Sequence, residues 1–338
     1  MQRLTIKDIS KIADVSMMTV SRVINNEKHV KKETREKVLG IIKQYGYEPN
    51  FFAQNIKTRK TNTIGLIIGD IENPYYSRLS KGVINVAEIN NYNVIVCNSN
   101  YSPKLGEKYL NMLIKKGVDG ILIATIDVSN DAINNLNKRN IPYVLVTRKS
   151  EEKNGNYFIT DDYLGGKLAS EYLIRLGHKK IFFLRSADVL GANERLRAFK
   201  DAMKENKIFL DDTYISKSLT NAEDAYTAVT EFIEKELHKN FTAIIGGNDF
   251  LAMGAMDAII DKGLNIPKDL SLIGYDNLWM TKILKVPLTT IRQPKMQFGY
   301  MSTERLLEMI KNPELKKYPQ KIVLQPELVI RNSCRKLN

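Results

Sequence analysis

The residue types that most often do covalent chemistry are few in this chain and far apart. Its three histidines, His29, His178 and His238, are spread through 338 residues without partners. No Gly-x-Gly-x-x-Gly or Walker loop is present to cradle a nucleotide phosphate. Cys97 and Cys334 cannot build a metal cage by themselves and read as free structural thiols of a reducing compartment. No catalytic residue, cofactor or metal is therefore expected. What remains is recognition by charge and hydrogen bonding, and the charge is unevenly placed. Residues 1–60 hold 13 Lys and Arg against 6 Asp and Glu, a net +7, whereas the other 278 hold 38 against 32, only +6. A small basic head on a nearly neutral body is the electrostatic footprint of nucleic-acid binding, with a solvated basic surface as the bland alternative.

The head should be three short helices over residues 5–45. Thr5-Ile6-Lys7-Asp8 is a capping box, followed by Ile6, Ile9, Ile12 and Ala13 at helical spacing. Ser16 with Thr19 offers a second cap after a break at Asp14-Val15, for a helix to about Ile24, and so short a connection suits a helix-turn-helix. A third helix is expected from Lys32 to Tyr45, closed by Gly46, with Val38, Leu39, Ile41 and Ile42 as its buried stripe. Val20, Val23 and Ile24 fall on the inward face of the second helix, which leaves Met17, Met18, Ser21 and Arg22 pointing away. After Tyr47-Glu48-Pro49-Asn50, Asn50 can cap a further helix to about Thr58, at roughly nine residues too short to be stable alone.

From Thr63 onward, buried apolar strands alternate with amphipathic helices. Strands are expected at 63–68, 93–97, 120–124 and 142–146, then again at 180–184, 214–217, 243–246 and 270–274, with a last one at 324–331. A βα rhythm stated twice implies an α/β body of two doubly wound parallel lobes, whose ligands bind in the cleft at the strand C-termini. The length fits two or three domains at about 100–200 residues each. No apolar run approaches the ~18 residues of a membrane span, and an early charge sits where a signal peptide would be apolar, so a cytoplasmic protein is expected.

These residues resemble the LacI/GalR family of bacterial transcription repressors over nearly the whole chain. The head carries Thr5-Ile6-Lys7-Asp8-Ile9, Val15-Ser16, Thr19-Val20-Ser21-Arg22-Val23-Ile24-Asn25, Thr34-Arg35 and Tyr47-Glu48-Pro49-Asn50. The body carries Asn62-Thr63-Ile64-Gly65, Asn73-Pro74-Tyr75-Tyr76, Val118-Asp119-Gly120, Leu176-Gly177-His178, Gly247-Asn248-Asp249, Ile273-Gly274-Tyr275-Asp276-Asn277 and Leu288-Thr289-Thr290-Ile291. The resemblance implies a DNA-binding head at 1–48 and a hinge helix and linker at 49–60. It also implies a first periplasmic-binding-protein-like lobe at 61–160 and 292–320, and a second at 161–291 and 321–338.

By the same resemblance the partners are double-stranded operator DNA, a second copy of the chain and a small sugar. Arg22 has the forked donors to pair with guanine, and Met17 and Met18 either touch thymine methyls or pack locally. Thr5, Ser16, Thr19, Ser21, Asn25 and Thr34 are expected at the DNA, the hydroxyls holding phosphates, which position without specifying. Asn50, Ala53 and Ile56 are expected in the hinge, with Ile56 in place of the family's minor-groove leucine wedge. The effector pocket would take Asn73, Tyr75, Tyr76, Ser77, Arg195, Asn248, Asp276 and Gln293, a set whose charged and amide groups suit vicinal hydroxyls. Asp161 and Asp162 could line it or cap a helix.

Val189 and Gly191 stand where the family's purine repressor has polar contacts, so a purine effector is not expected. Arg195 favours a small sugar over the catabolite-control mode, in which a phosphorylated carrier protein is the partner; that mode remains the alternative. The chain has no leucine-heptad tail after the last strand, which implies a homodimer rather than a tetramer. An enzyme or a periplasmic sugar-binding protein would share the body but not explain the basic head.

Overall fold

The structure is a computed structural model that describes residues 4–24, 27, 29–47, 60–187 and 191–337. It divides into two compact units, residues 1–61 and 62–338. In the first, helices α1 (Ile6–Ala13), α2 (Met17–Ile24) and α3 (Lys32–Gln44) enclose a core of Ile9, Ala13, Val20, Val23, Val38 and Tyr47. The Thr5–Asp8 capping box forms, with the Thr5 backbone N–H donating to the Asp8 carboxylate at 2.9 Å. Ser16 Oγ accepts from the Thr19 N–H at 3.1 Å and starts α2. Gly46, at φ +57°, turns the chain out of α3. Two expected core residues are exposed, Ile12 by 41% and Leu39 by 46%. Leu39 follows Val38 by one position, hence ~100° round the helix, so one narrow contact cannot bury both. The expected hinge helix, with Asn50, Ala53 and Ile56, lies outside the described residues, as does Asn25.

In the second unit, β1 (Thr63–Ile68), β2 (Asn93–Asn98), β3 (Gly120–Ala124), β4 (Tyr143–Val146), β5 (Tyr157–Thr160) and β10 (Lys321–Leu324) form an all-parallel sheet in the order β10-β5-β4-β3-β1-β2. The second sheet has the order β11-β9-β8-β7-β6, from β6 (Ile181–Leu184), β7 (Ala243–Gly246), β8 (Ser271–Asp276), β9 (Thr289–Arg292) and β11 (Glu327–Val329). Only β11 in it is antiparallel. Helices cover both faces, so the strands read as continuous apolar runs. Successive residues alternate between two cores: Leu66 packs with Val83, Val144 and Leu306, and Ile67 with Leu113, Ile121 and Leu145. The chain crosses between sheets three times: after β5, after β9, and between β10 and β11.

Three expectations need correcting. The single strand at 324–331 is two strands on different sheets, and residues 321–324, assigned to the second lobe, pair in parallel with β5 of the first. Arg292, assigned to the first lobe, closes β9 of the second. Residues 214–217 form no strand: a 3-10 turn at Asp212–Tyr214 leads into a lone bridge between Ile215 and Phe183.

Helices α4 (Pro74–Ile89) and α11 (Lys295–Lys311) cross with their backbones almost touching. A Cβ on Gly82 would stand 2.4 Å from the Met296 carbonyl oxygen, and one on Gly299 2.3 Å from that of Leu79. Gly82→Ala must therefore push backbone against backbone. We expect a lower Tm in thermal unfolding, by an overpacking cost of about 1–3 kcal/mol; an unchanged Tm would show that the crossing can relax.

Candidate functional site

The loops leaving the C-terminal ends of both sheets enclose a cavity of about 650 Å³. On the second-sheet side, Arg195 rises from helix α8, here defined as Ala192–Glu205 after α5 (Pro103–Lys116), α6 (Asn130–Lys138) and α7 (Asp162–Arg175). It is 95% buried (5% exposed) and closely held. Its Nε donates to Asp162 Oδ1 at 2.8 Å, its Nη1 to the Gly247 carbonyl at 2.9 Å, and its guanidinium lies 3.7 Å over the Tyr275 ring. Tyr275 donates its own hydroxyl to Asp162 Oδ1 at 3.0 Å. Burial works against the Arg195 charge, but Asp162 and then Tyr275 outweigh it and hold the guanidinium more firmly protonated than usual. Nη2 has no protein partner among the described residues.

Asp276 ends β8 at φ +125°, a conformation rare for a residue with a side chain. Its Oδ1 accepts from Gln293 Nε2 at 2.6 Å, and Gln293 Oε1 accepts from Thr160 Oγ1 at 2.7 Å, so a first-sheet hydroxyl orients a second-sheet carboxylate. Lys295 Nζ donates to the Asp276 carbonyl and holds the backbone in this shape. Burial pushes the Asp276 carboxyl above its ordinary range, opposed by Arg195 and Lys295. Asn248 caps helix α10 (Asp249–Asp261; α9 is Ala222–Glu234) by accepting from the Leu251 N–H at 2.9 Å, which leaves its amide NH2 for a ligand. Asn73 caps α4 in the same way through the Tyr75 N–H at 2.9 Å. Tyr75 and Tyr76 meet edge to face at 5.3 Å and, with Tyr101 and Phe250, supply apolar faces.

The structure thus brings Asn73, Tyr75, Tyr76, Arg195, Asn248, Asp276 and Gln293 to one cavity. Ser77 is corrected: it lies outside, exposed on α4, its hydroxyl donating to the Pro74 carbonyl at 3.1 Å. One position after Tyr76 the helix has already turned away. Of the two aspartates left open, Asp161 caps α7 through the Leu164 N–H at 2.9 Å, and Asp162 is the partner of Arg195. Residues missed from the sequence include Thr147 and Ser186, which line the cavity and whose buried hydroxyl oxygens have no protein partner among the described residues. Both follow strand C-termini, as do Tyr101 and Phe250, and that position was the available signal.

Behind the cavity, Asp249 accepts from Thr290 Oγ1 at 2.6 Å and from the Leu278 N–H at 2.7 Å. Burial first, and then the Asp276 charge, push its carboxyl up to about 7. A carboxyl raised from 3.8 to about 7 binds its proton in the folded state while the unfolded chain has lost it, so its contribution to stability falls as pH rises through that window. Asp249→Asn keeps an acceptor for Leu278 and removes the titration. Its Tm should decline less than wild type between pH 4 and 7; parallel curves would show that Asp249 does not titrate there.

In the head, Met17 and Met18 are exposed, by 51% and 62%, and Arg22 is exposed beside them. Arg22 Nε lies 3.6 Å from Glu27 Oε2, a solvent-facing pair that DNA could displace at little cost. Ser16 and Thr19 hydroxyls stand 2.9 Å apart, while Thr5 engages Asp8, and Ser21 and Thr34 are half-buried. His178 is buried outside the cavity lining, its ring bridging Thr242 Oγ1 at 2.9 Å and the Arg335 carbonyl at 3.0 Å. No described helix is long and apolar enough to cross a membrane.

Comparison with known proteins agrees with both regions. Residues 5–50 match the profile of bacterial regulatory proteins of the lacI family, and residues 61–331 that of periplasmic binding proteins and the sugar-binding domain of the LacI family. The transcriptional repressor PurR of Actinobacillus pleuropneumoniae is 35% identical over 99% of each chain, and the regulator DegA of Bacillus subtilis 33% over 99% of each. Among solved structures, the lac repressor dimer bound to operator and an anti-inducer covers 99% of this chain and all of its own at TM-score 0.85 and 25% identity. A LacI-family regulator of Enterococcus faecium with bound ribose covers 82% of this chain and all of its own at TM-score 0.73 and 33% identity. These relatives are regulators, not enzymes. With a helix-turn-helix head and a ligand cavity between two parallel-sheet lobes, this chain belongs to the LacI family of DNA-binding, ligand-regulated transcriptional repressors.

Proposed function

We propose that the chain acts as a homodimer on a pseudo-palindromic operator and that its effector is a carbohydrate. The observation that carries the second part is the cavity's pattern of spare valences. Arg195 Nη2 and the Asn248 amide offer donors, Asp276 Oδ2 an acceptor, and Tyr75 and Tyr76 apolar faces, which is what a ring with hydroxyls on its rim requires. The ribose-bound regulator at 33% identity supports the same class. Relatives named PurR make a purine the competing ligand. Against it, Gly191 is at φ +81° with the Asp162 carboxylate 2.0 Å from where a Cβ would lie, so no side chain there can reach a base; Val189 lies outside the described residues.

An electrophoretic mobility shift on full-length protein tests this, with pentoses, hexoses, a purine base and, because a regulator named CcpA shares the fold at 25% identity, a phosphorylated carrier protein. A sugar that alters the shift supports the reading. A response to the base alone, or to the carrier protein alone, replaces it. Affinity should also fall by about 0.9 log unit per log unit of salt for each phosphate neutralised. Salt-insensitive binding would remove the electrostatic role of the +7 head.

A further inference from the structure

We propose that the interlobe cavity excludes negatively charged effectors, so that the molecule sensed is a free sugar and not its phosphate ester; the sugar part rests on the reading above, the charge part does not. Six carboxylates line the cavity: Asp70, Glu72, Asp127, Asp162, Glu223 and Asp276. Arg195 is the one Lys or Arg among the described lining residues, and its charge is already matched by Asp162 at 2.8 Å. The nearby Lys295 amine is turned away onto the carbonyls of Asp276 and Asn277. Asp188-Val189-Leu190, which lie outside the described residues, include no basic one.

A phosphate can also be held without cations, by free N–H groups at helix starts. Here that route is opposed by the chain's own side chains. Among the described residues five helices bring their first turns to the cavity, and each start carries a side-chain cap, an acidic residue or both. Asn73 caps α4, which then begins with a proline that has no N–H. α7 is capped by Asp161 and begins with Asp162. α8 has no side-chain cap, but the Asp162 carboxylate lies against Gly191 at its start and Glu194 stands in its first turn. α9 is capped by Asn221 with Glu223 and Asp224 following, and α10 is capped by Asn248 with Asp249 following. At four of the five ends, α4 excepted, an acidic side chain thereby offsets the dipole charge that would attract an anion. The lining residues Ser186 and Thr147 carry buried hydroxyl oxygens that lack a protein partner among the described residues, and these are neutral groups.

Isothermal titration calorimetry on the full-length protein tests this with matched pairs: ribose and ribose 5-phosphate, glucose and glucose 6-phosphate, guanosine and guanosine 5′-monophosphate. Whichever neutral compound binds, its phosphate ester should bind at least about 100-fold more weakly, the expected effect of like charges brought together out of water. An ester that binds within about tenfold of its parent, or that binds when its parent does not, overturns the proposal. If only the guanosine pair binds, the carbohydrate reading falls, and the ratio within that pair still decides the charge proposal.

Discussion

Arg195→Ala should yield a repressor that holds its operator and no longer answers to effector. The substitution removes the spare Nη2 donors from the cavity and leaves Asp162 with only the Tyr275 hydroxyl for a partner among the described residues. Truncating one member of a buried charged contact with ligand typically weakens binding by about 2–5 kcal/mol, which is some 30-fold or more. Because the same change strands a buried carboxylate, it should also lower thermal stability. Asp276→Asn separates the two consequences. It preserves an acceptor for Gln293 Nε2 and eases the repulsion with Asp249, so the protein should be no less stable, yet the ligand loses a charged acceptor. Calorimetry with the effector and a mobility shift across its concentration range check both variants. If both respond at the wild-type concentration, the cavity residues are assigned to the wrong task. Linkage adds a second requirement: operator DNA must change effector affinity by the same factor by which effector changes operator affinity.

Arg22→Ala should erase operator preference and leave weak, salt-sensitive binding. One bidentate arginine–guanine pair is worth about 1–3 kcal/mol of discrimination, and the proposed homodimer would lose it twice. The Glu27 carboxylate, 3.6 Å away, sharpens the test. Glu27→Gln frees Arg22 from an exposed pair and should not weaken specific binding, whereas a structural role for that pair would make both variants behave alike. Footprints on operator and scrambled DNA distinguish these outcomes, and unchanged specificity in Arg22→Ala would reduce it to a surface charge.

What could be read from the chain alone was local. The Thr5–Asp8 capping box, the Ser16 cap and the turn at Gly46 are set by residues three or four apart, and each formed where expected. Strands β1 and β3 are apolar runs whose type declares itself without knowledge of a partner. The misplaced strands and the role of Asp162 are non-local. Residues 321–324 alternate exposed and half-buried like any edge strand, and nothing within them says that β5, some 160 residues earlier, is their neighbour. Asp162 could not be told from a second cap until Arg195 and Tyr275 were seen on either side of it. Ser77 shows the converse error, in which a contiguous motif was taken whole although each step along a helix turns the next side chain by about 100°.

The short segment after β8 is shared between the lobes: its backbone bonds to Asp249 and Thr290 of the second, while its leucine side chain sits in the core of the first. Leu278, 1% exposed, is embedded with Ile64, Tyr75 and Leu306 of the first lobe, while Lys295 at the head of α11 grips the carbonyls just before it. Prising a leucine from such a nest costs about 1.5–3 kcal/mol. Asp276 is itself paired with Arg292 in the second sheet, so it is expected to stay with Arg195 and Asn248 when one lobe rotates on the other. The shear plane then passes through the cavity between these three residues and Asn73, Tyr75 and Tyr76 of the first lobe. A molecule bridging the two sets would act as a spacer whose own length fixes the angle between the lobes, so two ligands of similar affinity but different span would set the repressor to different angles.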